Sequence, residues 1–320
     1  MVSSRLERET ALLNMPFFSV IIPTYNRAGL LREALDSVFA QTCTDFEVII
    51  VDDGSTDDTA GIVSIFADNV RYYRQENQGP GAARNLGLAN AAGRYVAFLD
   101  SDDLWFPWTL QTYQEVITRY GDVAWVAGVP FEQEGNRRVY GNVPGPLEHN
   151  IFRDYLATAN EPVWIATCAA AIRRDILQTT GGFAAGNMNG EDSDLWLRLG
   201  CAKGFVQIVS PPVFTWRHQP GSAVTQLSKT FCGMSHLLRQ EQDGLYPGGV
   251  ERQNERRQIL GRHIRPSSLA LAREGYLQEA LDLYGGLFFW QLRLRRWKYL
   301  VGFWMVLLTN RSKNRCLSQA

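Results

Sequence analysis

What most constrains this chain is one pattern repeated through its first hundred residues: an apolar run, a polar turn, then an amphipathic stretch. "FFSVIIPTY" is a continuous β-rich run ended by Pro23. "LLREALDSVFAQ" follows and sets Leu31, Leu35, Val38 and Phe39 on one helical face. "FEVIIVDDGS" reads as a second buried strand with a turn, and "TDDTAGIVSIFA" as a helix capped by Ser55 or Thr56. "VRYYRQ" is a short third strand, "GPGAARNLGLANAA" a helix opened by Gly and Pro, and "RYVAFLD" a fourth strand. Strands separated by helical stretches specify an α/β fold, a doubly wound, mostly parallel sheet with helices on both faces. Ligands of such sheets bind beyond the carboxyl ends of the strands. The polar clusters fall there: "PTYNR" after the first strand, "DDGSTDD" after the second and "DSDD" after the fourth.

Past Asp103 the pattern changes. "DVAWVAGVPF" and "RRVYG" predict a hairpin around Glu134, Gly135 and Asn136, and "TCAAAIRRDIL" a strand running into a helix. "GGFAAGNMNG" is a Gly/Asn-rich loop expected to flex around an acceptor. "EDSDLWLRLGCAKG" is a helix with three acids in its first turn, favourable at the positive end of its dipole. "FVQIVSPPVFTWRH" predicts a late strand pair broken by two prolines, and "PSSLALAREGYLQEALDLYGGLF" a helical hairpin turning at Gly275. The expected organisation is an N-terminal leader over residues 1–16, one α/β domain over 17–225, and a basic, mainly helical region over 226–320.

Charge separates that last region from the rest. Residues 251–320 carry 13 Lys+Arg against 5 Asp+Glu, while the rest of the chain carries 19 against 28. A basic tail suits either an anionic surface or a solvated helical face. Within it, "LFFWQLRLRRWKYLVGFWMVLL" holds two apolar pieces of about ten residues each, interrupted by Arg293, Arg295, Arg296 and Lys298. Each piece is too short to cross a bilayer but suits its interface. Phe288, Phe289, Trp290, Trp297, Phe303 and Trp304 flank the cations as interfacial anchors do. The segment reads either as peripheral contact with an anionic membrane or as a helical hairpin packed on the main domain. Five widely spaced cysteines with no C-x-x-C pair argue against a zinc site or a disulfide framework and fit a reducing compartment. A cytoplasmic location follows, peripheral on the inner face of the plasma membrane if the tail binds lipid. No nucleic-acid partner is expected.

The chemistry concentrates in the acids. Asp100 and Asp102 stand two apart at the end of an apolar run, so an extended backbone points both to one side. Two hard oxygen ligands suit Mg²⁺ or Mn²⁺, an ion that bridges a substrate's phosphates. Like charges this close also repel and shift each other's pKa, so a cation or a proton must neutralise them. Asp52 and Asp53 form a second acidic turn that can accept from a base or ribose hydroxyls, or serve as an Asx-turn and helix cap. "NQGPGAARN" opens a helix whose N–H groups favour anions, and Arg84, one turn in, suits a phosphate or an ion pair with Asp100.

Five segments in order, "SVIIPTYNR", "VIIVDDGSTDDT", "NQGPGAARN", "YVAFLDSDDLWFP" and "GEDSDLWLRL", together resemble glycosyltransferase family 2 over roughly residues 17–220. The resemblance implies a GT-A fold, a nucleotide-sugar donor such as a UDP-sugar, a divalent cation, and transfer to a saccharide or lipid-linked acceptor with inversion. It implies that Pro23, Thr24, Tyr25 and Arg27 line the nucleotide pocket and that Asp53 binds the base beside Asp52. It places Asp100, Ser101 and Asp102 on ribose and metal, with Asp103 next to them. It makes Asp192 the catalytic base, next to Glu191, and gives His218 in "TWRHQPGSAV" a contact with metal or diphosphate. The residue types fit such chemistry: displacement at a sugar carbon needs a neutralised diphosphate and a carboxylate base from another segment. Asp194 is read as helix N-terminal charge and left out of the site. Two other classes are weighed. A nucleotidyltransferase would carry a Gly-rich loop with a basic residue after the first strand, where this chain has "PTYNR". A non-catalytic carbohydrate- or lipid-binding scaffold would rely on the basic tail.

Overall fold

The computed structural model describes residues 15–121, 123–132, 144–186, 188–217 and 226–310. It divides into two compact units that interleave along the chain. One comprises Met1–Arg153, Val163–Gly186 and Ala202–Gln219, the other Asp154–Pro162, Asn187–Cys201 and Pro220–Ala320.

The first unit runs β1 (Phe18–Thr24), α1 (Ala28–Phe39), β2 (Phe46–Asp52), α2 (Thr59–Ser64), β3 (Arg71–Arg74), α3 (Pro80–Asn90) and β4 (Tyr95–Phe98). It continues with β5 (Leu104–Trp105), α4 (Thr109–Tyr120), β6 (Trp125–Ala127), β7 (Pro130–Glu132), β8 (Glu148–Phe152), β9 (Ala170–Arg173), α5 (Arg174–Thr180), β10 (Phe205–Ser210) and β11 (Phe214–Trp216). Eight strands form one sheet in the order β3-β2-β1-β4-β9-β6-β10-β8. Every residue of β1 is buried, as expected of a central strand covered on both faces. It pairs in parallel with β2, from Phe18 opposite Phe46 to Thr24 opposite Asp52, and with β4, from Phe18 opposite Tyr95 to Ile21 opposite Phe98. Strands β3 and β10 extend the parallel set through β2 and β6, while β9 and β8 run the other way. The sheet is thus α/β and mostly parallel, as the sequence predicts.

Several local expectations change. On α1 the buried stripe is Leu31, Ala34, Leu35 and Val38, whose three larger side chains contribute about 1.5–3 kcal/mol each. Phe39 lies off that stripe, 39% exposed, and stacks on Phe66. Helix α2 starts at Thr59, so neither Ser55 nor Thr56 caps it. Asp57 accepts instead from the Thr59 N–H and hydroxyl, at 3.2 and 2.6 Å. The late strand pair separates: β10 belongs to the large sheet, whereas β11 lies between β5 and β7 in a second, three-stranded sheet. Pro211 and Pro212 account for the break, since neither offers an N–H to continue a ladder. Strands β6 and β7 likewise fall in different sheets, and the second arm of the hairpin predicted around Glu134–Asn136 lies outside the described residues.

The second unit is helical among its described residues: α6 (Glu191–Arg198), α7 (Leu227–Gln242), α8 (Gln253–Glu274), α9 (Leu277–Arg293) and α10 (Trp297–Asn310), with a 3₁₀ turn at Tyr155–Thr158. The predicted hairpin turns at Gly275, whose φ of 91° is open to glycine without a Cβ penalty. It is longer than expected at its start, because α8 runs through Pro266 instead of beginning there. A buried ion pair of Arg256 with Glu241, at 2.7 Å, ties α8 to α7. Arg252 grips Asp154 with two nitrogens, at 2.6 and 2.9 Å. Helix α10 packs through Phe303, which stacks on Tyr284 of α9 with centroids 4.2 Å apart.

Candidate active site

Strand order reverses at β1: the chain winds outward to β2 and β3, then returns to place β4 on the other side. Open α/β sheets leave a crevice at such a point, beyond the strands' carboxyl ends. The parallel register sets the three acidic or polar turns there side by side. Thr24 lies opposite Asp52 with Pro23 opposite Val51, and the Leu99 N–H donates to the Ile21 carbonyl at 3.1 Å, one residue before Asp100.

Hydrogen bonds lock the turns to one another. The Asp53 N–H donates to the Thr24 carbonyl (2.9 Å). Asn26, at φ 51°, donates its N–H to Ser55 Oγ (2.9 Å) and accepts from the Thr56 N–H (2.7 Å). Arg27 reaches across to Asp102 at 2.5 Å, and Arg84 on α3 pairs with Asp100 at 2.7 Å. The structure therefore brings together Pro23, Thr24, Tyr25, Arg27, Asp52, Asp53, Arg84, Asp100, Ser101 and Asp102. Tyr25 stands 47% exposed at this rim, whereas Thr24 is buried and its hydroxyl has no partner among the described residues.

Asp52 and Asp53 are both buried and differ in duty. Asp52 accepts from the Ser55 N–H (2.7 Å) and the Tyr72 hydroxyl (2.7 Å), the Asx-turn anticipated for it. Burial and the neighbouring Asp52 charge push the Tyr72 phenol up to about 12. Asp53 receives the Gln75 side chain (2.7 Å) and the N–H groups of Gln78 (2.9 Å) and Gly79 (2.8 Å). It thereby fixes the entrance of α3 and, through it, Arg84.

The three carboxylates after β4 are neutralised in different ways. Asp100 and Asp102 face Arg84 and Arg27. Burial and the Asp100 charge still raise Asp102, against the pull of Arg27. Asp103 is turned inward and 4% exposed, with the Arg217 N–H (3.0 Å) and the Cys168 thiol (3.1 Å) on its two oxygens. Burial first, then the Asp100 charge, push its carboxyl up to about 7, while the same burial keeps the Cys168 thiol well above its usual range. Asp100, Asp103 and Cys168 offer ligand atoms within 4.8 Å of one another. That group is a poor ion site, because a protonated thiol donating to a carboxylate is not a ligand and Mg²⁺ or Mn²⁺ prefers oxygen. Asp100 and Asp102 fit better. They are 31% and 21% exposed, and among the described residues each arginine occupies only one of their two oxygens. The other oxygens are hard donors open to an ion that keeps its waters.

Sequence reasoning misses Arg217, which follows β11. Besides Asp103, its side chain donates to the Asp102 carbonyl and pairs with Glu33 of α1 at 3.0 Å. The only signal for it is its place beside His218. His218 itself lies outside the described residues.

Asp192 sits in the other unit, half-buried in the first turn of α6. Its Oδ1 accepts from the N–H of Ser193 at 2.6 Å, and Glu191 accepts from the Gly190 N–H at 3.1 Å. The segment leading into α6 is docked on α7: the Asn189 N–H donates to the Lys229 carbonyl (3.1 Å) and its amide to Thr230 Oγ1 (3.0 Å). Asp194 is buried and accepts from Arg198 (2.7 Å), His236 (3.2 Å) and Tyr246 (2.9 Å). Burial alone would raise its pKa, but these partners hold it below the usual carboxylate value. Asp194 thus braces the helix that carries Asp192, a firmer role than the helix-dipole charge read from sequence.

The chain is similar to known proteins both in sequence and in fold. Residues 19–181 match the family model of glycosyl transferase family 2. The succinoglycan biosynthesis protein ExoW of Rhizobium meliloti is 44% identical over 121 residues, 35% of this chain and 38% of that protein. This and the other curated glycosyltransferases it matches are spanned over 14% to 58% of their own length. Among solved structures, S. aureus TarS 1–349 in complex with UDP-GlcNAc superposes with a TM-score of 0.56 at 19% identity, covering 93% of this chain and 92% of that one. The mannosyltransferase PcManGT of Pyrobaculum calidifontis, in complex with GDP-Man and Mn²⁺, does so with 0.54 at 21% identity, covering 97% and 94%. At such identities the likeness is one of fold, here the GT-A type. With half of the sequence matched to the family model and its acidic turns gathered at the sheet's switch point, the chain belongs to glycosyltransferase family 2.

Proposed function

We propose that the protein is a metal-assisted, inverting glycosyltransferase. It moves a sugar from a nucleoside-diphosphate donor to an acceptor hydroxyl on a growing polysaccharide or other glycoconjugate. One observation carries the reading: the turns after β1, β2 and β4 are cross-braced at a single rim, with partly exposed carboxylates of Asp100 and Asp102 between Arg27 and Arg84. The donors held by the structural neighbours, and the succinoglycan pathway of ExoW, support the substrate classes.

Asp100 and Asp102 would hold Mn²⁺ or Mg²⁺, with His218 as the expected third ligand. When bound, such an ion acts as a Lewis acid that neutralises the departing diphosphate. The protein's own groups do the rest. Tyr25, Thr24, Asp52 and Asp53 orient the nucleoside, and Ser101 and Arg84 hold the ribose and phosphate side. Asp192 takes the acceptor hydroxyl's proton while the new C–O bond forms at the anomeric carbon and the bond to the diphosphate breaks on the opposite face. Configuration therefore inverts.

The test is a panel of UDP- and GDP-sugars with Mn²⁺ and candidate glycan acceptors, reading release of nucleoside diphosphate and the anomeric configuration of the product by NMR. One donor should turn over with inversion. Retained configuration would overturn the single-displacement assignment, and no turnover with any donor would leave the scaffold reading in its place.

A further inference from the structure

Helix α10 is apolar on two faces. Tyr299, Leu300, Phe303 and Leu307 are buried within the helical unit. The other face carries Trp297, Val301, Trp304, Met305 and Leu308, spaced i, i+4, i+7, i+8 and i+11, and each is between 46% and 64% exposed. Such spacing lays one continuous stripe along a helix. Phe289 of α9 adds a further apolar side chain, 75% exposed. Around the turn between α9 and α10, from the last residue of one helix to the second of the next, Arg293, Arg295, Arg296 and Lys298 are all exposed, and no Asp or Glu occurs from residue 283 to residue 310.

We propose that this face is the surface on which the protein lies on an anionic lipid bilayer. No described helix is long and apolar enough to cross a membrane. Helix α10, at 14 residues, measures about 21 Å against a hydrocarbon core of about 30 Å, so it suits the plane of the interface. Two tryptophans on the stripe match the headgroup boundary, where amphipathic rings settle. Charge selects the occupant. A second copy of the chain would set four like charges near four more, whereas anionic headgroups attract them. In sequence, residues 311–320 continue as "RSKNRCLSQA", with three further cations and no acid.

The structure also reassigns the anchors. Trp290 and Phe303, read from sequence as interfacial, are buried: Trp290 carries Arg257 over its ring at 4.8 Å, and Phe303 stacks on Tyr284. The lipid-facing set is Phe289, Trp297, Val301, Trp304, Met305 and Leu308. None of this depends on which sugar the enzyme transfers.

The test is co-sedimentation of the full chain with vesicles of neutral lipid alone or with about a third anionic lipid. Binding is expected to anionic vesicles and to weaken with added salt. Replacing the four cations with Gln should cut it about fivefold per charge. Replacing Trp297, Trp304 and Met305 with Ser should reduce binding to both vesicle types. Unchanged thermal unfolding and, once the donor is known, unchanged turnover without vesicles show that neither variant has simply misfolded. Full-length protein left in the supernatant with anionic vesicles overturns the proposal. So does a concentration-dependent dimer that the Ser variant abolishes, which assigns the stripe to a second copy.

Discussion

Helix α7 carries a glycine at residue 233 where a side chain would collide with the segment that leads to Asp192. A Cβ at that position overlaps the carbonyl oxygen of Asn189 and lies 2.8 Å from its carbonyl carbon. Relaxed carbon contacts need about 3.5–4.0 Å, and the oxygen stands closer still than that carbon, so Gly233→Ala must shift the Asn189–Gly190 backbone by about 1–2 Å. Elsewhere in a helix the same change gains about 1 kcal/mol. Gly285 in α9 supplies the control, because a Cβ there meets nothing within 4 Å. Overpacking costs about 1–3 kcal/mol, so Gly233→Ala should lose up to about 2 kcal/mol net while Gly285→Ala gains up to about 1. A catalytic group displaced by about 1 Å can lose about a hundredfold in rate, so turnover of Gly233→Ala should fall by about 10- to 100-fold with donor affinity nearly unchanged. Urea unfolding and steady-state kinetics at saturating donor read the two effects separately. Equal stabilisation by both alanines would refute the close approach. A destabilised Gly233→Ala with normal turnover would refute the idea that this segment positions the base.

Other expectations follow from the same geometry. Asp192→Asn should bind donor normally and turn over on the order of 10² to 10⁴ more slowly, as for loss of a general base; near-normal turnover sinks the assignment. Asp102→Ala should weaken Mn²⁺-dependent donor binding and free Arg27, and unchanged Mn²⁺-dependent affinity in calorimetry would rule out the metal role. His263 in α8 is pushed down to about 4, by burial first and then by Arg262. Its folded value lies below the unfolded value near 6.5, so the unfolded chain binds more protons between those limits and stability falls as pH drops through that window. The slope is at most about 1.4 kcal/mol per pH unit, the value for a difference of one whole proton. His263→Gln should flatten it, and an unchanged pH profile of unfolding would discount this histidine.

The core and half of the site could be read from the chain because they are local. Apolar runs such as Val20–Ile22 and Val48–Val51 are covered on both sides, and each ends in the polar turn that later forms the rim. The missed features depend on distant partners. Nothing near Asp103 announces that Cys168 and Arg217, 65 and 114 residues away, will bury and bind it. The tail shows a different limit. Both stripes of α10 are apolar at helical spacing, and only the neighbours of Tyr299, Phe303 and Trp290 decide which rings are buried. At Phe39 and Ala34 the same ambiguity favours the smaller residue, since the face is set by packing and not by hydrophobicity alone.

Calorimetric titration of a nucleoside diphosphate into the protein, with and without Mn²⁺, bears most directly on the braced rim. The expected result is binding that requires the ion, falls when Asp53 is changed to Ala, and loses its ion dependence when Asp100 and Asp102 are both changed to Asn. Tight binding that ignores both the ion and these carboxylates would contradict it.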